Sequence, residues 1–322
     1  MADLKDRLEH HQVAIYWGAV VVAALVALGV PGTARLEAAI NPALALMLYL
    51  TFVQVPLADL GRAWGQGRFL AALLVSNFVA VPLLLAALLG FMPTDPLLRF
   101  GVLLVLLAPC IDYVVTFAHL GRADARLLLA ATPVLLLLQM LLLPVYLHLF
   151  LGTEVAGLVS PGPFVEAFAW LIGVPLTLAG LTQWWVGRSR VGVRVGATLG
   201  LGPVPATALV LFVVVAAVVP QMGAARGAAQ AVWPFYVAFA VLAPLMGWAV
   251  ARCLRLAPAA GRAVAFSTGT RNALVVLPLA LAVPAAMPVL PAVIVTQTLV
   301  ELLAELVYVR WIARFGAGSK PE

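Results

Sequence analysis

LLAPCIDYVVTFAHLGRAD, residues 106–124, decides how the rest of the chain is read. It begins as an apolar run long enough to enter a membrane, and Pro109 interrupts it. Proline lacks the backbone N–H and breaks or kinks a helix. Cys110 and Asp112 follow at once, then Thr116 and His119. A helix broken near the middle of a bilayer frees carbonyl and N–H groups. Such backbone is tolerated only where it is buried in protein or lines a cavity. The plain alternative is a proline-kinked helix carrying a small buried cysteine.

The composition settles that lipid is the solvent. Hydrophobic residues make up 64% of the 322, charged residues only 10%, and the mean hydropathy is +1.10. A soluble domain carries about 25% charged residues. The predicted fold class is therefore all-α, a polytopic membrane protein whose partner is the bilayer. Apolar runs punctuated by Gly, Pro, Arg or Asp give ten expected spans of about 20 residues each. They cover 13–30, 38–60, 69–91, 97–121, 125–151, 162–186, 199–221, 231–254, 259–283 and 288–312. The N-terminal stretch MADLKDRLEHHQ lacks the basic n-region and cleavage site of a signal peptide, so 1–12 and 313–322 read as tails.

The net charge of +6 does not mark a nucleic-acid partner, because the cations are scattered through short loops. With the N-terminus inside, the inner set is Lys5, Arg7, Arg62, Arg68, Arg122, Arg126, Arg188, Arg190, Arg194, Arg252, Arg255, Arg262, Arg310, Arg314 and Lys320. The outer set is Arg35, Arg99 and Arg226. Fifteen against three satisfies the positive-inside rule with both termini cytoplasmic. The Ala-, Leu-, Val- and Arg-rich composition suggests a GC-rich bacterial source, hence the inner membrane. An even number of spans allows two five-helix halves, 13–151 and 162–312. An offset of 162 sets Tyr146 over Tyr308, Val145 over Val307, Gln139 over Glu301 and Cys110 over Asn272. Five spans per half would invert the second half, the plan of many secondary transporters.

Polar residues at membrane depth are functional candidates by default. FSTGTRNALVVLP, 266–278, holds six consecutive small or polar residues, Ser267 to Asn272. Arg271 there would cost about 2.5–3.5 kcal/mol facing lipid, so it pairs or lines a cavity. Asp112 is the expected partner if spans four and nine meet. A structural ion pair and a cation in a substrate or coupling site are both open. TQTLVELLAELVYV, 296–309, sets Glu301 and Glu305 at i and i+4, with Gln297 on the same face. Such a stripe reads as a proton relay or cation path; alternatively Glu305 lies near the cytoplasmic end and pairs with Arg310 or a loop arginine. Gln54, Asn77 and Gln139 suit hydrogen bonds between helices. Asp59, Glu166 and His148 sit near span ends, and Cys253 reads as structural. No phosphate-binding loop, paired-cysteine zinc site or HExxH helix occurs, so no enzyme and no cofactor is expected.

These features resemble the bile acid/sodium symporter superfamily, and within it the arsenical resistance-3 branch of arsenite carriers. The resemblance rests on CIDYVVTFAHLGRADAR (110–126) and TLVELLAELV (298–307). Arsenite carriers have a similar run beginning Cys-Ile-Ala-Met-Val, and their transport cysteine falls on Cys110. The conserved glutamate of their last helix falls on Glu301. Three departures stand out. Asp112 replaces their alanine. The glutamate that shortly follows the Ser/Asn run of their helix nine is missing from Ser267 to Leu274 here. Bile-acid symporters carry Glu-x-Gly-x-Gln-Asn-Ser in helix nine to bind sodium, whereas here Ser267 replaces the Glu and Arg271 replaces the Gln. A guanidinium at a sodium site repels the ion, so sodium coupling is not expected.

The resemblance implies a secondary transporter that exports arsenite or a related metalloid, with proton coupling through Glu301, Glu305 or Asp112. Trivalent arsenic is thiophilic, and Cys110 would be its transient ligand. One thiol suits a carrier that must release its cargo. The alternative cargo is a small organic anion gripped by Arg271, with Asn272 nearby. A non-transporting membrane scaffold or sensor is a third class.

Overall fold

The computed structural model describes residues 2–54, 67–111, 113–156, 166, 169–283 and 287–316. Asp59, Arg62 and Asp112 lie outside the described residues.

The described chain is helical, without a strand. The expected N-terminal tail is itself a helix, α1 (Ala2–His10), braced by a Lys5–Glu9 contact of 3.6 Å at i,i+4. α2 (Gln12–Gly29) follows, then α3 (Glu37–Gln54), entered by a short turn after Gly32, whose φ of 89° suits only glycine well. α4 (Gly67–Leu89) is apolar but carries a π turn at Ser76–Ala80, where Val81 N reaches back to Ser76 O. Asp95 caps the amides of Leu97 and Leu98 at 2.8 and 3.2 Å, and Pro96 starts α5 (Pro96–Leu106) at the position where a missing N–H costs nothing. α6 (Tyr113–Leu120) and α7 (Ala125–Ala156) complete the first half.

α8 (Val174–Val186) is entered through a second π turn at Ala169–Gly173. α9 (Arg190–Leu199) is capped by Ser189 and bends by 41° into α10 (Pro203–Val218). The remaining helices are α11 (Met222–Cys253), α12 (Pro258–Gly269), α13 (Ala273–Leu281) and α14 (Val289–Trp311).

Among the described residues, six continuous stretches are long and apolar enough to cross a bilayer. They are Gln12–Gly29, Thr33–Gln54, Gly67–Leu89, Ala125–Gly152, Ala225–Cys253 and Val289–Arg314, and the bent α9–α10 pair makes up to seven. The expected spans 97–121 and 259–283 fall short for a physical reason. Each is two short helices, α5 and α6 or α12 and α13, of 8 to 12 residues apiece. Part of the expected span 162–186 lies outside the described residues.

The chain forms two compact units, each drawing on both halves of the sequence. The first comprises 1–55, 156–229 and 274–295. Within it α10 packs on α2 and α3, and α8 packs on α3. Side-chain hydrogen bonds pin these apolar helices together: Tyr49 to Thr182 at 2.9 Å, Gln183 to the Phe52 carbonyl at 2.9 Å, and Gln54 to the Gly200 carbonyl at 3.3 Å.

The second unit comprises 56–155, 230–273 and 296–322. Here α12 is central, packed on α4 and its π turn, on α6 and on the turn at Ile312–Arg314. Its residues Ala263 to Gly269 are all buried, while Leu83, Phe91, Leu141 and Leu149 on other elements are exposed. Exposed large apolar side chains around a buried, partly polar centre are what a lipid solvent permits.

Candidate functional site

The two helix breaks foreseen at Pro109 and at 267–272 meet inside the second unit. Pro109 and Arg271 form an antiparallel bridge. Cys110 N donates to Thr270 O at 3.2 Å, and Asn272 N donates to Ala108 O at 2.8 Å. Each broken stretch thus satisfies backbone groups of the other where no water is at hand. Glycine and the small polar residues do not end α12 early. It runs through Gly269, and only residues 270–272 leave the helix.

The bridged pair is separated by the same 162 residues seen in the sequence. The two backbone bonds exchange places under that offset. So do two side-chain contacts: the Tyr146 hydroxyl donates to the Phe78 carbonyl, and the Tyr308 hydroxyl donates to the Ala240 carbonyl.

Arg271 is fully buried. Its guanidinium points into a ring of oxygens. Nη1 donates to Leu106 O at 3.2 Å; Nη2 lies 2.7 Å from Asn77 Oδ1, 2.8 Å from Ser267 O and 2.7 Å from Thr268 O. The Phe239 ring closes one side, 5.3 Å from Cζ. Leu106, Ser267 and Thr268 are among the last residues of α5 and α12, whose terminal carbonyls have no amide of their own turn to accept from. The guanidinium supplies the missing donors and places a positive charge at the negative helix ends. Among the described residues no carboxylate lies within ion-pair distance of it.

Asn77 was expected only as one more interhelical amide, and the structure gives it a larger part. It sits in the π turn of α4, donates to Leu73 O at 3.0 Å and Ser267 Oγ at 3.1 Å, and so aims its carbonyl at Arg271. π turns recur at functional sites because they re-aim a side chain within a helix.

The backbone of Arg271 serves a second group. Its amide donates to Glu301 Oε2 at 2.7 Å, and Gln297 Nε2 donates to the same oxygen at 2.5 Å. The Tyr113 hydroxyl donates to Glu301 Oε1. Three donors around one carboxylate are what a buried negative charge requires. One break residue therefore holds a cation cage with its side chain and an anion with its amide. Glu305, one turn along α14, is fully buried against Thr270 while Arg310 is exposed. The alternative of an interfacial Glu305–Arg310 pair is thereby corrected: the two residues occupy different faces of α14.

Cys110 is fully buried in the crossover, next in sequence to the Pro109–Arg271 bridge. Asn272 is buried, and its Nδ2 has no partner among the described residues. A cavity of about 10 Å³ lies beside Glu301, walled by Leu106, Tyr236, Phe239, Gly269 and Gln297. The Tyr236 hydroxyl and Gln297 Oε1 are buried without a partner among the described residues. A space of that size is at the lower limit for admitting a single water. Tyr113 and Tyr236 were missed by the sequence reading, since a lone tyrosine in an apolar helix carries no signal. Gln139, the offset partner of Glu301, is buried away from this cluster's hydrogen bonds.

The model of one known family, the Sodium Bile acid symporter family, matches residues 41–226. No curated protein matches the chain. The matched segment contains the first break and ends before the second, where the sequence departs from the sodium-binding pattern. It spans more than half of the chain. With an all-helical membrane fold and paired helix breaks, the chain belongs to the Sodium Bile acid symporter family, whose members are transporters and not enzymes.

Proposed function

We propose that the protein is a sodium-independent secondary transporter that exports arsenite or a related metalloid in exchange for protons. In this reading ten spans form two inverted five-helix repeats in a bacterial inner membrane, with both termini cytoplasmic. The observation that carries it is the oxygen ring around the Arg271 guanidinium. Three carbonyls and one amide oxygen converge as they would on a metal cation, and a covalently attached cation fills the place. An ion that never leaves cannot be a coupling ion. The proton is the remaining candidate, with the buried Glu301 and Glu305 as its seats.

Cys110 supports the metalloid cargo. It places a buried thiol at the crossover of the two breaks, next in sequence to the Pro109–Arg271 bridge. Asp112, Asn272 and Glu301 complete the proposed transport residues, with Asp112 outside the described set. The contacts that hold 109 to 271, 146 to 78 and 308 to 240 at one offset support the inverted repeat.

The family match favours a second reading, a small organic anion as cargo. Arg271 serves that reading less well, because its Nη groups already face protein oxygens. The test is arsenite accumulation in arsenite-sensitive cells expressing wild type or Cys110→Ala. The proposal expects lowered accumulation with wild type and none of that effect with Cys110→Ala. Equal accumulation in wild type and empty vector, at matched expression, overturns the metalloid cargo and leaves the organic anion.

A further inference from the structure

We infer that Glu305 is a proton-binding site occupied in this conformation, a neutral carboxylic acid rather than a carboxylate. The inference rests on the transport reading only for its consequence, that this proton is the one exchanged for cargo.

The argument is a count of hydrogens. Thr270 Oγ1 lies 2.7 Å from Phe266 O and 2.5 Å from Glu305 Oε1. A hydroxyl has one hydrogen to give. Phe266 O, four residues back, is an acceptor without a hydrogen of its own, so the hydroxyl hydrogen goes to it. The contact with Glu305 then needs a hydrogen from the other side. A carbonyl has none to offer, and a protonated carboxyl does. Glu305 donates, and Thr270 accepts.

Charge points the same way. Glu301 already accepts from the Arg271 amide, from Gln297 and from Tyr113, and it balances the Arg271 guanidinium. The titratable groups facing Glu305 are Glu301 and Tyr308 on α14 itself; Arg271 on the broken stretch lies beside Glu301 and Tyr308, and Tyr236 of α11 lies across the cavity beside Glu301. No cation lies within ion-pair distance of Glu305 among the described residues. Its Oε2 has no partner among them. An ionised Glu305 would leave the buried cluster with one uncompensated negative charge, an arrangement proteins avoid at membrane depth. A proton removes that charge without any new contact. Loss of the proton would put two carboxylates one helical turn apart against one guanidinium, and would favour a conformation in which Glu305 meets water. Binding and release of this proton is thus tied to the closed arrangement of the crossover.

The experiment is infrared difference spectroscopy on purified full-length protein during a pH titration, paired with arsenite flux in everted vesicles under an imposed proton gradient. Glu305→Gln keeps an N–H to donate to Thr270, so it preserves the packing; Glu305→Asp is the second variant. The expected result is a protonated-carboxyl carbonyl band at neutral pH that Glu305→Gln removes and Glu305→Asp shifts. Arsenite flux in Glu305→Gln should lose its response to the proton gradient. A spectrum identical in wild type and Glu305→Gln overturns the inference. So does a flux in Glu305→Gln that follows the gradient as wild type does. If wild type moves no arsenite, the transport reading fails separately, and the infrared band alone decides whether Glu305 holds the proton.

Discussion

Replacing Arg271 with alanine should turn a fixed-cation protein into one that responds to sodium. In the native fold four oxygens, from Leu106, Asn77, Ser267 and Thr268, lie 2.7–3.2 Å from the guanidinium nitrogens. Arg271→Ala removes the charge and leaves these acceptors aimed at an empty space next to Glu301. Breaking a buried ionic network by deleting one partner costs about 3–5 kcal/mol. The Arg271 amide still holds Glu301, so the crossover itself should survive. A small monovalent cation that enters the vacated ring stabilises the folded state by RT ln(1 + [L]/Kd), about 1.4 kcal/mol at ten times Kd. Sodium should therefore recover roughly a third of the loss. The assay is thermal unfolding of detergent-purified wild type and Arg271→Ala in sodium, potassium or choline chloride at equal ionic strength. Wild type should unfold at the same temperature in all three, and the variant lower throughout but highest in sodium. Sodium stabilisation of wild type, or a variant as stable as wild type, would refute the fixed-cation reasoning.

Other outcomes follow from the same geometry. Cys253→Ser, at the exposed end of α11, should leave arsenite resistance intact, whereas Cys110→Ala abolishes it in the same growth assay. Tyr146→Phe and Tyr308→Phe each delete one hydroxyl-to-carbonyl bond at symmetric positions. Each should cost about 1 kcal/mol in denaturant unfolding, and the double variant should lose the sum. Gly247→Ala would place a Cβ 2.3 Å from Thr268 Oγ1 and 3.1 Å from Val264 O. Overpacking there should cost about 1–3 kcal/mol in thermal unfolding and displace a carbonyl that holds Arg271.

The sequence made the breaks legible because proline and a run of small polar residues weaken a helix by local chemistry alone. It also made legible that Arg271 must be buried and that Glu301 and Glu305 share a face, since burial cost and helical period are local rules. The offset of 162 was visible as a weak likeness of Tyr146 to Tyr308 and of Cys110 to Asn272. Those residues are brought into matching contacts.

What stayed hidden is the ring around Arg271. Three of its four oxygens are backbone carbonyls, which every residue carries, so no residue type announces them. The fourth belongs to Asn77, whose aim depends on a π turn that no local pattern marks. The same holds for Tyr113, which meets Glu301 only because α6 starts immediately after the first break. Six continuous helices long enough to cross a bilayer stand among the described residues, against ten apolar runs in the sequence. A broken helix keeps its apolar composition while losing its length.

The most direct test is arsenite flux into everted vesicles containing the protein, with sodium or potassium as the only monovalent cation and with or without an imposed proton gradient. The account predicts equal flux in sodium and potassium and flux that rises with the proton gradient. Flux that requires sodium, or that ignores the proton gradient, would contradict it.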